Sequence, residues 1–347
     1  MAAIPADYLI QGDGEHALNH LKKIINGPIE TIPGVWTRTQ DAVRSGPPPE
    51  PITDLDALPF PARHLVRSYH YGQAYDPRLK PREFTSIITS RGCPFACRFC
   101  SRPSLGAHRY RTRSIPNIIQ EFREIASAGY RTIAIMDDCF PPPKERAHAL
   151  FDALLKEHLD LRLYVTAARV DFADAALYAK MKQAGVVSVQ FGCESGCQAT
   201  LDYYGKRTTI DQIREAVRLS QNAGFITIGS FIFGAPGETR QQMNQTARFA
   251  RSLPFDSVSF LPLRYMAGSE LWARARDEGK IAADEYIVLA DDARGLSEYP
   301  VAELMRICHS AQWSFYLRPR YALGMLARVL RRNDASFLRS FLASPRG

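Results

Sequence analysis

The chain lacks an apolar run long enough to cross a membrane. Its longest apolar stretch, around Phe225–Ala235, is interrupted by Gly and Thr and falls short of the roughly 20 residues that a bilayer span needs. The first residues show no basic, apolar and small-residue leader, so we expect no secretory signal. The sequence therefore predicts a cytoplasmic protein.

Neither sign of charge dominates enough to indicate a polyanionic partner. Among the 347 residues, 44 Lys and Arg stand against 36 Asp and Glu, which gives a net charge of +8. These charges are dispersed through most of the chain, so we expect no nucleic-acid partner. Arginines are concentrated at Arg102–Arg113 and near the C-terminus, and we interpret both groups as solvated surface charge.

Cysteine is absent from the first quarter of the chain, and its distribution excludes a disulfide framework. None precedes Cys93, the total of seven is odd, and three lie together in Cys93–Cys100. Crowded thiols of this kind indicate metal binding in a reduced compartment. The other four lack a compact spacing, so we expect buried thiols rather than a second cluster.

The middle of the sequence alternates β-branched runs with segments of helical apolar spacing. The predicted strands are Phe84–Ser90, Thr132–Met136, Leu161–Thr166, Val186–Phe191, Phe225–Phe233 and Ser257–Leu261. The helices predicted between them are Pro116–Ala128, Lys144–His158, Asp174–Ala184, Thr209–Ala223 and Thr239–Ser252. Such alternation with short connections predicts an α/β fold of parallel strands, here a partial (βα)6 TIM-like barrel. The chemistry of such a barrel lies at the carboxyl ends of its strands.

Three regions follow from this pattern: an N-terminal segment and linker over residues 1–80, a core barrel over 81–265, and a C-terminal helical extension over 266–347. The first contains a proline-rich linker at Gly46–Pro51. The last is amphipathic, is interrupted at Pro319 and carries several arginines among Leu, Phe and Tyr. We expect it to form a helical cap on the barrel; the alternative is a basic surface in peripheral contact with a membrane.

A compact cysteine motif directly follows the first predicted strand. It has the spacing C-x3-C-x2-C, formed by Cys93, Cys97 and Cys100. Three thiolates can ligate three irons of a cubane and leave the fourth iron open, which makes such a cluster catalytic. A closed electron-transfer cluster needs a fourth cysteine nearby, and structural zinc needs a second ligand pair, for which His108 is the sole candidate. The motif therefore predicts a [4Fe-4S] cluster on these three thiols.

Further candidate site residues follow the other predicted strands, where the barrel rule places the chemistry. They are Asp137, Asp138, Arg169, Glu194, Gly234 and Glu238.

The cysteine loop, including the aromatic Phe99 before its last cysteine, resembles the signature of the radical S-adenosylmethionine (SAM) superfamily. The resemblance implies that the open iron binds the amino and carboxylate groups of SAM. It also implies that one electron from the cluster breaks SAM into methionine and a 5′-deoxyadenosyl radical, which abstracts hydrogen from a small organic substrate. An electron donor of the flavodoxin or ferredoxin type is implied as well.

The same resemblance implies roles for the acids and the arginine after the strands. Asp137 and Asp138 stand where the superfamily often has a Gly-Gly-Glu that holds the SAM ammonium group, and a carboxylate there offers the same contact. The alternative is a capping or solvated acid. Arg169 either faces the SAM carboxylate or forms a salt bridge. Glu194 lies in a GCESG segment similar to the GIESG of one branch, where the acid points at SAM.

The residues after the fifth strand carry a similar implication. Gly234–Glu238, with Thr239, resembles the G-x-P-G-E-T segment of the same branch, which lines the adenine of SAM. Phe99 is likewise assigned to cofactor binding by the resemblance.

The order of motifs best resembles the cobalamin-binding subfamily of radical SAM proteins. The matching segments are Gly12–Glu15, Asp54–Arg63, the cysteine loop, ARVD, CESG, GAPGET and Phe315–Tyr321. Members of that subfamily methylate, cyclise or oxidise small substrates and carry an N-terminal cobalamin domain. Residues 1–80 resemble the end of that domain followed by its linker. None of the eight histidines has Asp two positions before it, so cobalamin is not supported by a histidine-ligand motif. A truncated frame, a separate cobalamin chain and a lineage without cobalamin all fit this absence. The competing function is a non-catalytic or incomplete barrel subunit that works with a separate cobalamin-binding chain.

Overall fold

The computed structural model describes residues 6–38, 42–66, 68–69, 72, 79, 83–105, 109–140, 143–319 and 321–324. The N-terminal residues form a small unit with its own sheet. Its elements are β1 (Tyr8–Ile10), α1 (Gly14–Leu18), α2 (Leu21–Asn26), β2 (Val35–Arg38) and β3 (Val43–Ser45). The three strands are antiparallel in the order β1-β2-β3. This unit is more than a linker, because it encloses a core of Ala17, Ile24, Ile29, Ile32 and Val35.

A short 3-10 turn at Arg63–Val66 leads into the barrel. In chain order the barrel elements are β4 (Phe84–Ile87), β5 (Ser90–Arg91), α3 (Arg102–Leu105), β6 (Arg111–Thr112), α4 (Ile115–Ser127), β7 (Thr132–Ile135), α5 (Lys144–Lys156), β8 (Arg162–Ala168), α6 (Ala175–Gln183), β9 (Val186–Glu194), α7 (Gln198–Tyr203), α8 (Ile210–Asn222), β10 (Ile226–Phe233), α9 (Arg240–Ser252) and β11 (Ser257–Pro262). A second 3-10 turn, Val170–Phe172, follows β8.

Six strands form one parallel sheet in the order β11-β10-β9-β8-β7-β4. Each strand lies beside the sheet strand that precedes it in the chain, so every crossover connects neighbours. The predicted partial (βα)6 barrel is confirmed. Helix ends agree with prediction within two residues, and strand ends within three.

Local sequence explains where the helices begin. Ser114, Asp174, Thr209 and Thr239 each accept a hydrogen bond from the backbone N–H three residues ahead. Such N-caps satisfy a donor that the first helical turn leaves free. Four of the five helices between the sheet strands therefore begin at a side-chain cap, and the fifth, α5, begins after Pro143 without one.

The strands alternate between two faces, as β10 illustrates. Thr227 is buried and its hydroxyl lies 2.7 Å from that of Ser220 on α8, so this face packs on the helices. Ile228 and Ser230 are half-buried on the opposite, concave face. That face therefore remains available to line a site inside the partial barrel.

The two strands that the sequence mispredicted by three residues lie next to the site. The first barrel strand ends at Ile87, after which Ser90 and Arg91 turn away to pair with β6. Strand β9 instead continues to Glu194, because β10 hydrogen-bonds along it through a register shift that pairs Phe231 with Glu194.

The C-terminal part adds β12 (Arg264–Met266), α10 (Glu270–Asp277), β13 (Ile287–Leu289) and α11 (Val301–Tyr316). β12 and β13 pair antiparallel, so the predicted boundary after residue 265 falls within a strand. In the described part of the chain, no helix is both long and apolar enough to span a membrane.

Helix α11 covers the free edge of β11 with side chains. The Gln312 amide accepts from the backbone N–H of Phe260 at 3.2 Å and donates to the carbonyl of Val258 at 2.7 Å. The Tyr316 hydroxyl lies 3.1 Å from Val258 N and 3.0 Å from Val258 O. An exposed edge strand is a template for unwanted pairing, and here its polar groups are satisfied by α11. The described start of the C-terminal extension is thus a cap on the barrel.

Of the arginines near the end of this extension, Arg318 lies within the described residues. Arg318 donates to the carbonyl of Phe315 at 2.7 Å, with its guanidinium 4.2 Å from the centre of the Phe315 ring. Arg320, Arg328, Arg331, Arg332 and Arg339 lie outside the described residues.

The edge contacts of Tyr316 make a testable prediction. Tyr316→Phe removes the hydroxyl alone and with it two hydrogen bonds of Val258, to the backbone N–H and to the carbonyl, which costs about 1–3 kcal/mol. We expect the free energy of unfolding of the apoprotein, measured in urea, to fall by that amount. Tyr286→Phe, at a half-exposed ring, is the matched control and should change it by less than about 0.5 kcal/mol. Equal effects of the two changes would show that the Tyr316 hydroxyl does not stabilise the edge of β11.

Candidate functional site

The cysteine loop lies at the carboxyl ends of the barrel strands, between β5 and α3. The thiols of Cys93, Cys97 and Cys100 are each part-exposed, and the backbone N–H of Cys100 donates to the carbonyl of Cys97 at 3.0 Å. The loop has few backbone hydrogen bonds of this kind, so its shape depends on the segments that surround it.

Asp137 holds the residues that lead into the loop. Its carboxylate accepts from the N–H and hydroxyl of Thr89, at 2.6 and 2.5 Å, and from the N–H and hydroxyl of Ser90, at 3.3 and 2.8 Å. Burial raises the pKa of Asp137, while these four donors oppose that shift. Both oxygens are thus engaged within the chain.

Asp138 and Cys139 continue this contact along the loop. Asp138 accepts from the N–H of Gly92 at 2.9 Å and forms a salt bridge with Arg102 at 3.1 Å. The thiol of Cys139 hydrogen-bonds that of Cys93 and, against the effect of burial, lowers the pKa of Cys93 to about 6. Three consecutive residues after β7 therefore hold three successive points of the loop.

Arg169 supports the loop from the end of β8. Its guanidinium donates twice to Asp171, at 2.9 and 2.8 Å, and once to the carbonyl of Lys206 at 3.0 Å. It lies 3.5 Å from the centre of the Phe95 ring, in the cysteine loop, which is a cation–π contact. Of the two roles that the sequence left open for Arg169, the structure displays the salt bridge.

Glu194 and Lys206 form a buried ion pair at the end of β9. The Lys206 ammonium lies 2.7 Å from Glu194 Oε1, and each side chain is 8% exposed. The pair fills the space beside Gly192, where an added Cβ would lie 2.5 Å from Glu194 Oε1 and 3.1 Å from Lys206 Nζ. Sequence reasoning missed Lys206, because it belongs to no quoted motif and lies 12 residues beyond Glu194.

Phe99 packs on Tyr204, with ring centres 5.2 Å apart. The N–H of Arg98 donates to the carbonyl of Tyr204 at 2.9 Å, and the Arg98 guanidinium donates to that of Tyr203 at 3.0 Å. The buried hydroxyl of Tyr204 finds no hydrogen-bond partner among the described residues. The segment between α7 and α8 thus holds the second half of the loop, and the hydroxyl of Thr208 in the same segment is likewise buried without a partner among the described residues.

Gly234 and Glu238 form a closed turn after β10. Gly234 has φ +92°, a conformation that favours glycine. The Glu238 carboxylate accepts from the N–H of Gly234 at 2.7 Å, from that of Ala235 at 3.3 Å and from the hydroxyl of Thr200 at 3.3 Å. Burial raises the pKa of Glu238 to about 7. Glu238 therefore holds the turn together through hydrogen bonds to its own backbone.

The N-terminal unit reaches the loop through Asp13 and Glu15. Asp13 accepts from Arg91 at 3.0 Å, from the N–H of Ile52 at 2.9 Å and from Arg111, and Glu15 pairs with Arg91. Although burial opposes it, these hydrogen bonds lower the pKa of Asp13. A cavity of about 520 Å³ lies beside these contacts and reaches Asp138.

The expectation that Arg102–Arg113 is solvated surface charge was wrong for two of its members. Arg111 and Arg113 are 8% and 11% exposed and are bound to Asp13 and to the buried Glu121, respectively. Buried charges are normally paired, and no motif in the sequence indicated that Asp13 and Glu121 are the acids that pair with these arginines.

The donor set fits a cubane better than a single ion. Among the described residues, no three His, Cys, Asp or Glu side chains converge as the ligands of one metal ion do. Structural zinc requires such convergence of four ligands. A [4Fe-4S] cluster takes each thiolate on a different iron, so three part-exposed thiols spread over one loop suit it. His108, the remaining zinc candidate, lies outside the described residues.

Comparisons with known proteins find similarity to radical SAM proteins. Residues 87–250 match the sequence profile of the Radical SAM superfamily. An uncharacterized methyltransferase of Pyrococcus horikoshii is 29% identical over 90% of this chain and 68% of its own length. An anaerobic magnesium-protoporphyrin IX monomethyl ester cyclase of Rubrivivax gelatinosus is 25% identical over 79% of this chain and 50% of its own.

A solved structure supports the fold over most of the chain. The cobalamin-dependent SAM radical enzyme OxsB, with aqua-cobalamin and SAM bound, superposes with a TM-score of 0.67 at 16% identity, covering 95% of this chain and 56% of OxsB. The predicted resemblance to the radical SAM superfamily is thus confirmed over residues 87–250, and the fold is similar to that of a cobalamin-dependent member, as the sequence predicted. The chain spans about half the length of OxsB and of the cyclase.

The contacts of Asp137 make a second testable prediction. Asp137→Asn replaces one acceptor oxygen by an NH2 group that faces donors, so we expect a loss of about 3 kcal/mol in the free energy of unfolding. The thiols of Cys93 and Cys97 in the folded apoprotein should also react faster with a thiol reagent. Asp138→Asn, which loses one backbone contact and an exposed salt bridge, is the comparison and should lose about half as much or less. Unchanged thiol reactivity in Asp137→Asn would show that this residue does not hold the loop.

Glu238 predicts a pH dependence of stability. Its folded-state pKa of about 7 lies above the ordinary 4.5, so the folded chain binds this proton more tightly than the unfolded chain. The stabilisation is complete below the unfolded pKa and is lost as the pH rises through the folded pKa. Between pH 4.5 and 8, the free energy of unfolding of the wild-type apoprotein should fall by up to about 3 kcal/mol more than that of Glu238→Gln. Urea denaturation of both proteins at a series of pH values measures this difference. If the free energies of unfolding of the two proteins changed with pH in parallel, the prediction would be refuted.

Proposed function

We propose that the chain is a radical SAM enzyme in which Cys93, Cys97 and Cys100 hold a [4Fe-4S] cluster that cleaves SAM reductively. The observation that carries this proposal is the cysteine loop itself. Three part-exposed thiols lie at the carboxyl ends of a six-stranded parallel barrel, where barrel chemistry is located. Two buried cationic side chains, Arg169 and Lys206, lie beside them.

When bound there, the cluster supplies the electron that breaks the sulfonium of SAM into methionine and a 5′-deoxyadenosyl radical. The chain's own residues position and enclose these groups. Asp137 fixes the entry to the loop, Arg169 supports Phe95, and Tyr204 supports Phe99.

We assign the contact with the SAM ammonium group to the acid whose carboxylate remains accessible to a ligand. Because both oxygens of Asp137 are engaged, Asp138 is the better acid for the SAM ammonium group: its side chain is 24% exposed and lines the cavity. Glu194, whose Oε1 is paired with Lys206, is assigned to SAM from the resemblance of its segment. Gly234 and the turn that Glu238 braces are assigned to the adenine, and Phe99 to the SAM side of the loop.

The radical is proposed to modify a small organic substrate by methylation, cyclisation or oxidation. The names of the two relatives, a methyltransferase and a cyclase, support this range. An external reductant must supply the electron, and a flavodoxin or ferredoxin is the proposed donor. Cobalamin is compatible with the structural likeness to OxsB, but the absence of an Asp-x-His motif leaves its use to experiment.

The experiment is anaerobic reconstitution with iron and sulfide, followed by dithionite reduction with SAM and an assay of 5′-deoxyadenosine. We expect the wild type to form 5′-deoxyadenosine and Cys97→Ala to lose at least about 100-fold of this activity, because a cubane cannot be held on two thiols. Cys308→Ala, which removes a buried thiol on α11, is the control and should retain it. The same assay with added hydroxocobalamin tests cobalamin dependence.

Two outcomes would overturn the proposal. Wild type that binds no iron would exclude the cluster. Wild type that binds a [4Fe-4S] cluster but never cleaves SAM, with or without cobalamin, would exclude SAM cleavage by this chain.

A further inference from the structure

A buried positive charge lies beside the cysteine loop without any part in the SAM contacts proposed above. The Lys206 side chain is 8% exposed, and its ammonium lies 2.7 Å from Glu194 Oε1. Its carbonyl accepts from Arg169 at 3.0 Å. Taking a lysine and a carboxylate out of water costs several kcal/mol for each ion, and their attraction repays this poorly. Stability alone therefore gives little reason for this pair.

The pair is held rigidly. Glu194 adopts φ +62°, which is uncommon for a residue with a side chain. Gly192 leaves no room for a Cβ beside the two charged groups. The segment that carries Lys206 is bound to the loop itself, because the carbonyl of Tyr204 accepts from the N–H of Arg98. The ammonium therefore has a fixed position relative to the thiols.

Lys206 and Arg169 are buried cations beside the loop. The charge of Lys206 acts on Cys93, Cys97 and Cys100, and that of Arg169 acts on Cys93 and Cys97. Both cations are paired with an acid, Arg169 with Asp171 and Lys206 with Glu194. Glu194 acts on Cys97 with the opposite sign. The balance of Lys206 against Glu194 thus sets the local field at the thiols.

We infer that Lys206 is a positioning residue that raises the reduction potential of the group on Cys93, Cys97 and Cys100, and that Glu194 moderates this effect. The step is the uptake of one electron from dithionite by an oxidised cubane, with no bond formed or broken. The added electron is a negative charge in a buried setting, where a fixed cation stabilises it more than water does. This inference rests on the proposed function, because it presupposes the cluster.

The test is an EPR-monitored redox titration of reconstituted protein in the absence of SAM. Lys206→Met keeps the length of the side chain and removes its charge. We expect the ratio of reduced to oxidised cluster at a given ambient potential to fall at least tenfold, which is about 59 mV for a one-electron couple. Glu194→Gln should move the potential in the opposite direction. The double variant, which removes both charges, should return close to wild type.

Lys156→Met provides the matched control. It removes the same charge from an exposed residue at the C-terminal end of α5, which lies at the opposite end of the barrel from the loop, and should leave the potential unchanged. Opposite shifts in the two single variants support the inference, because a purely structural role would change cluster yield without this sign pattern. Should Lys206→Met fail to retain a cluster, Glu194→Gln alone decides: an unshifted potential overturns the inference. A wild type without a cluster would instead refute the proposed function.

Discussion

The cysteine loop must present three thiols at fixed positions, yet it contains almost no regular secondary structure with which to do so. Its rigidity is therefore supplied from outside, by residues that follow the barrel strands. Asp137 alone accepts four hydrogen bonds from Thr89 and Ser90, and Arg169 lies against the Phe95 ring. Parallel strands bring these segments together because all their carboxyl ends meet at one edge. The barrel is in this sense the scaffold of the loop.

The N-terminal unit joins the same network through Arg91, which precedes Gly92 and the first thiol. Arg91 pairs with Asp13 and Glu15, and Asp13 also holds the buried Arg111 and the backbone of Ile52. Arg111 is buried, and removing the acid that pairs with it would lower the free energy of unfolding by about 3–5 kcal/mol. The segment Gly12–Glu15 is thus connected to the site by buried charge rather than by apolar packing, and the cavity of about 520 Å³ opens between the two.

The sequence predicted the barrel closely because its signals are local. Apolar alternation, N-caps such as Ser114 and Thr209, and short connections act within a few residues. The three thiols were found for the same reason, since their spacing lies within one loop. Lys206, Cys139 and the acid partners of Arg111 and Arg113 could not be found this way. Their contacts join residues 8 to 98 positions apart, and only the folded chain reveals which acid meets which base. Asp137 was identified by position, but its four internal donors are likewise a tertiary property.

The segment after β7 departs from the family pattern, and this departure changes which of its residues contact the cysteine loop and which can bind a ligand. Where many radical SAM proteins have Gly-Gly-Glu, this chain has Asp137, Asp138 and Cys139, and each contacts the loop: Thr89 and Ser90, then Gly92, then Cys93. Two glycines could make no such side-chain contacts, so this chain gains a firmer hold on its first thiol. As a consequence, Asp137 cannot bind a ligand through its carboxylate, because both oxygens already accept hydrogen bonds within the chain. Under the proposed function, Asp138 is the acid of this segment left for the SAM ammonium group, and that contact would share or displace the salt bridge from Arg102.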